Sequence, residues 1–208
     1  MSTEKTKPKM SSTYRLRMLT TTAMLGAFAG VLMLIEFPLS FIAPSFYKLD
    51  LSEIPVMIGT FAFGPIQGVV IELVKILIHL IIKGTSTGFV GELANFIIGC
   101  AMIIPAGVIY KVKKTKKAAI LGMAVSTLVM AVAGVFMNAY VMIPLYAKFM
   151  PLDAIIEAGK AIFPVIHDTF TFCVFCVLPF NLIKGILVSV VVAIIYKPLA
   201  NIIHKGRP

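Results

Sequence analysis

Three polar residues interrupt long apolar runs in a way that could do chemistry: Asn138, and the pair Asn181 and Lys184, which stand three apart and share one helix face just after Pro179. Asn138 falls in the outer half of its own apolar run, so all three are expected at a similar depth. An amide offers a donor beside an acceptor, which complements a cyclic imide edge. A lysine ammonium can donate to a ring carbonyl. Such a trio suits a flat heterocycle. The competing reading is interhelical glue, in which the amides satisfy backbone carbonyls and the lysine snorkels.

Two further groups break the apolar pattern. Glu72, Lys75 and His79 repeat at three and four residues, on one helix face, as a local ion pair or an acid–base set. Glu92 and Asn95 stand three apart in GELANFIIG, where they could meet a polar ligand group or cap a neighbouring helix. A strip of small residues, Ala23, Gly26, Ala27 and Gly30, lets another helix approach closely.

Other chemistries lack their parts. No Gly-x-x-x-x-Gly-Lys-Ser/Thr stretch occurs, so this chain holds no phosphate-cradling loop for ATP, and any ATP-driven step belongs to a partner. His-Glu-x-x-His and Gly-x-Ser-x-Gly are missing, and His79, His167 and His204 are scattered over different elements. Cys100, Cys173 and Cys176 all lie in apolar runs and read as buried small hydrophobes. The net charge of +10 sits in blocks that flank apolar runs, which is the pattern of a topology signal rather than of a nucleic-acid surface.

The elements that position these residues follow from composition. The 208 residues are 59% hydrophobic and 13% charged, and the mean hydropathy is +0.99. That leaves too little polar surface to wrap a water-soluble domain, so lipid must act as the solvent. A membrane helix needs about 20 apolar residues to cross roughly 30 Å of hydrocarbon. Apolar runs near 17–36, 54–64, 66–83, 88–111, 118–146 and 176–197 predict an all-α integral membrane protein of six spans, one domain over 1–208. The Gly64-Pro65 step divides the second span from the third.

Lys and Arg cluster in the basic tail 1–16, at Lys111 to Lys117 and at the C-terminal end, from Lys197 to Arg207. With six spans these three places share one side, which the positive-inside rule makes cytoplasmic. The 37–53 segment and the 147–175 connection then face outward. Both are long for helix connections and carry large apolar residues, as a lid over an outward-facing pocket would.

Along nearly the whole chain the sequence resembles the substrate-binding (S) component of energy-coupling factor (ECF) vitamin importers, in its riboflavin-binding branch. The resemblance is carried by Ala23-x-x-x-Ala27, by KLDLSEIPVMIGTFAFGPIQG, by GTSTGFVGELANFIIG, by FMNAY and by PFNLIKG. It implies a six-helix subunit that binds riboflavin at its outer face beneath the first outer loop. It further implies docking on a transmembrane coupling protein driven by two ATP-binding cassette ATPases. By the same resemblance Asn138, Asn181 and Lys184 would hold the isoalloxazine ring, Lys48 and Leu49 would lie under the lid, and Ala23 and Ala27 would face the coupling protein. Riboflavin would be the transported ligand, with no catalytic cofactor and no covalent step.

Rival readings differ in class. The ligand could be another vitamin or a flavin nucleotide (FMN or FAD), since fold does not fix ligand. The chain could be a stand-alone membrane carrier with a proton path through its buried charges, or a small membrane enzyme using Glu72, Lys75 or Glu92.

Overall fold

The computed structural model describes residues 11–85, 87–148 and 151–204. The first ten residues of the basic tail, with Lys5, Lys7 and Lys9, lie outside the described residues, as do Lys205 and Arg207 and positions 149 and 150 of the long connection.

Among the described residues the chain is helical almost throughout. Helix α1 spans Ser12–Leu34, α2 Glu53–Phe63, α3 Pro65–Lys83, α4 Val90–Val112 and α5 Lys116–Met137. After α5 come a π-helical turn at Asn138–Met142 and the short α6, Ile143–Tyr146. Then follow α7 (Leu152–Lys160), α8 (Thr169–Phe172), a second π-helical turn (Cys173–Val177) and α9 (Leu178–His204). Five helical stretches are long and apolar enough to cross a membrane: Ser12–Leu34, Pro65–Lys83, Val90–Val112, Lys116–Tyr146 and Thr169–Ile195. Glu53–Phe63 is apolar but shorter.

Local chemistry sets the boundaries, and several differ from the apolar runs. Helix α1 begins earlier than residue 17 because Ser11 caps it, its Oγ accepting from the Tyr14 N–H at 3.2 Å. The last apolar helix starts near 169 rather than 176, because Asp168 and Thr171 form a reciprocal capping box there. Hydropathy could not place that start, since a cap is written in polar residues. Much of the 147–175 connection is therefore helical, with Ile155 and Gly159 of α7 buried. Between α2 and α3, Gly64 adopts φ 101°, a conformation open to glycine, and Pro65 opens α3 at a position where no intrahelical N–H is needed.

Helix α1 packs on α3, α3 on α4, α4 on α5 and α5 on α9, while α2 lies among α1, α3, α4 and α9. One end of the bundle gathers the start of α1, the α2–α3 turn and the end of α4 around a shared recess. At the opposite end the α1–α2 connection is pinned by a two-stranded antiparallel pair, β1 (Phe37–Pro38) with β2 (Lys48–Leu49), in which Phe37 faces Leu49 and Pro38 faces Lys48. An apolar cluster of Leu49, Ile155, Ile166, Phe172, Cys176 and Phe180 supports that end. Cys173 and Cys176 are buried free thiols, and Cys100 is a half-buried one.

Candidate functional site

The loop end of the bundle encloses a cavity of about 160 Å³, bordered by Lys48, Asn95, Asn138, Asn181 and Lys184. A neighbouring cavity of about 450 Å³ shares Lys48 and Asn95 with it and adds Glu92. Six of the seven ligand candidates from the sequence therefore border one or both of these adjoining cavities. The seventh, Leu49, is buried beside it in β2 and packs in the apolar cluster beneath the loop.

Each amide is held from behind. Asn138 opens the first π-helical turn, whose widened bond runs from the Ile143 N–H to the Asn138 carbonyl. Its Nδ2 donates to the Gly134 carbonyl at 2.8 Å, and its Oδ1 accepts from the Tyr47 hydroxyl at 2.8 Å. Asn181 follows the second π-helical turn and donates from Nδ2 to the Val177 carbonyl at 2.9 Å. A Cβ on Gly134 would stand 2.7 Å from that Nδ2, so only glycine leaves room for the amide against α5. Its Oδ1 accepts no hydrogen bond among the described residues, and it borders the cavity. π-Helical turns are rare overall and frequent at functional sites.

Lys184 reaches across the cavity floor to the connection before α2. Its Nζ lies 3.0 Å from Oδ2 of Asp50 and 3.9 Å from Oε1 of Glu53. Burial alone would raise the Asp50 carboxyl, but Lys184 and Lys75, with hydrogen bonds from Ser52, hold it down at about 2. The lysine expected to serve a ring carbonyl is thus already an ion-pair partner. An ammonium has three donors, so Asp50 fixes its position and leaves capacity for a ligand.

A second buried lysine lies beside it. Lys75 sits 2.8 Å from Glu53 and 2.7 Å from Glu72 and donates to Oδ1 of Asn95 at 3.1 Å. The expected Glu72–Lys75 pair is present, extended to α2 and α4. His79 takes no part in it. Glu92 accepts from the hydroxyls of Thr85 and Thr87 at 3.1 and 3.2 Å, so it closes the start of α4 while bordering the larger cavity. Lys48 pairs with Glu36 at 2.7 Å, and Lys83 pairs with the same carboxylate. Those two lysines hold Glu36 below its usual range against the opposing effect of burial.

The small-residue strip on α1 divides into two faces. Gly26 and Gly30 are buried, and a Cβ on them would meet Val74 at 2.6 Å and Ile78 at 2.7 Å. Ala23 and Ala27 are exposed, beside the equally exposed Met24 and Phe28.

Sequence reading missed Phe46, Tyr47, Asp50 and Glu53. Tyr47 packs edge-on against Phe180 at 5.7 Å and tilted against Phe46 at 5.1 Å, forming the aromatic side of the cavity. All four belong to the α1–α2 connection or the first turn of α2; Phe46 and Tyr47 stood out only as aromatic residues in a long loop, and Asp50 and Glu53 only as acidic positions within the KLDLSE stretch. Among the described residues no group of three or more His, Cys, Asp or Glu side chains could hold a metal ion.

Known proteins agree with this architecture. Residues 17–196 match the family described as "ECF transporter, substrate-specific component". The chain is 35% identical over 187 residues to the riboflavin transporter RibU of Staphylococcus aureus (strain TCH60), covering 90% of this chain and 92% of that protein. It is 30% identical over 194 residues to the riboflavin transporter FmnP of Bacillus subtilis (strain 168), covering 93% and 97%. A solved structure described as the S component of a bacterial ECF transporter superposes with a TM-score of 0.73 at 34% identity, covering 90% of this chain and 98% of that one. With this family match the chain is a transport component and not an enzyme: it belongs to the substrate-specific components of ECF transporters.

Proposed function

We propose that this chain captures riboflavin in the cavity at its loop end and delivers it across the membrane with an ATP-driven ECF module. The observation that carries the reading is the convergence of Asn138, Asn181 and Lys184 on one cavity from two separate helices. The amide of Asn181 and the ammonium of Lys184 meet the imide edge and carbonyls of an isoalloxazine, and the aromatic side formed by Tyr47 and Phe180 packs against its ring. Relatives named as riboflavin transporters support the same ligand.

In this reading the chain is one domain over 1–208 with six spans, α2 being the short one. Its basic tail 1–16 and its C-terminus are cytoplasmic, and the 147–175 connection lies outside. The connection between α1 and α2 is the lid, with Lys48 and Leu49 beneath it and its Asp50 held to Lys184. Glu92 and Asn95 belong to the polar side of the ligand site. The exposed Ala23 and Ala27 face a transmembrane coupling protein that two ATP-binding cassette ATPases drive, a close helix contact that small side chains permit.

Calorimetry on the purified full chain tests the ligand. Saturable riboflavin binding is expected; tight binding of a different vitamin with none of riboflavin would overturn the reading.

A further inference from the structure

Among the described residues that border the larger cavity, one side chain has buried polar atoms with no hydrogen-bond partner. Its charged neighbours are mutually engaged: Glu36 takes Lys48 and Lys83, Asp50 takes Lys184 and Ser52, and Glu92 takes two threonine hydroxyls. His79 borders the same space, is only 8% exposed, and neither of its ring nitrogens has a hydrogen-bond partner among the described residues. Buried polar atoms are nearly always paired, so an unpaired imidazole at the edge of a cavity marks a group that a small rotation of its ring would bring to a partner there.

The chemistry of that partner follows from the two compartments. They share Phe46, Lys48, Gly91, Asn95 and Tyr146, so the two compartments adjoin along one wall, and a molecule seated in the first places its substituents toward the second. The aromatic and amide compartment suits the flat ring. The second compartment, whose charged groups already have hydrogen-bond or ion-pair partners and, with Lys184 on Asp50, balance in sign, suits an uncharged chain of hydroxyls. An imidazole donates from one nitrogen and accepts at the other when neutral, and donates from both when protonated; a hydroxyl answers either state.

We infer that His79 is a specificity-determining residue of the site, hydrogen-bonding a hydroxyl of the ligand's polyol chain. The inference rests on the riboflavin reading above, whose ligand carries a ribityl chain on a flat ring.

The test compares riboflavin with lumiflavin, the same ring without the polyol, on the purified full chain and its His79→Leu and His79→Gln variants. His79→Leu is expected to weaken riboflavin about tenfold while changing lumiflavin less than about twofold, and His79→Gln to recover most of the loss. Without ligand, the melting temperature of His79→Leu should hold or rise, because an unpaired buried polar group has been replaced by an apolar one. Equal losses for both flavins, unchanged riboflavin affinity, or a lowered melting temperature with no ring–chain difference would overturn the assignment. Absence of binding by either flavin to the unaltered chain would overturn the riboflavin reading, and this one with it, before any variant is made.

Discussion

The seam between α1 and α3 and the seam between α5 and α9 use the same device to opposite ends. In each, a glycine on one helix accepts a side chain from the other at a distance no Cβ would allow. At Gly26 and Gly30 the incoming groups are Val74 and Ile78, so the seam closes dry. At Gly134 the incoming group is the amide of Asn181, and the π-helical turns beside it widen both helices just where polar atoms must face inward. Close approach is therefore neutral about function: the residue inserted decides whether it makes a wall or a site. Helix α3 shows both outcomes on one cylinder, apolar toward α1 and charged toward α2 and α4.

The charged side of α3 should be the most costly to disturb. Lys75→Met strands Glu53 and Glu72 in the bundle without their shared cation, and we expect a loss of about 3–5 kcal/mol of stability in thermal unfolding of the detergent-solubilised chain. A loss under about 1 kcal/mol would mean that the carboxylates are not held as an ion network.

Crowding the two seams separates them. Gly26→Val and Gly134→Val should each destabilise by about 1–3 kcal/mol through overpacking. Only Gly134→Val should also abolish flavin binding, since it displaces Asn181. Equal effects on affinity would erase the distinction between wall and site.

Removing the amide without crowding is the milder probe. Asn181→Ala is expected to weaken riboflavin by about 1–3 kcal/mol, the cost of leaving a buried partner unpaired, and wild-type affinity by calorimetry would contradict its role. The Asp50 pair adds a pH signature. Its pKa falls from 3.8 to about 2 on folding, so the stability it contributes is fully present above pH 3.8 and is lost as pH drops through 2. The loss on acidification amounts to about 2 kcal/mol between pH 4 and pH 2, with no change from this pair between pH 5 and 8, to be checked by melting temperature against pH. The smallest effect on binding belongs to Ala27→Leu, on the exposed face of α1. Affinity should shift by less than about 0.5 kcal/mol while uptake in cells carrying the energising module is abolished; retained uptake would return Ala27 to ordinary lipid contact.

Composition and periodicity by themselves determined that this is a helical membrane protein, because long continuous apolar runs, unlike the short alternating strands of a barrel, satisfy their backbone in lipid as helices. They also singled out Asn138, Asn181 and Lys184, because polar residues amid apolar runs stand out where the bilayer penalises them, and Gly64-Pro65 as a break, because that step cannot continue a helix. The start of the last long helix, the π-helical turns and the partition of the α1 strip into a buried glycine face and an exposed alanine face were decided only in three dimensions. So were the partners of Lys184: Asp50 lies 134 positions away, on a loop whose approach to α9 no local pattern encodes. Periodicity reports which face of one helix is apolar; which charge meets which, and which imidazole is left over, depends on how six elements from distant parts of the chain close on one another.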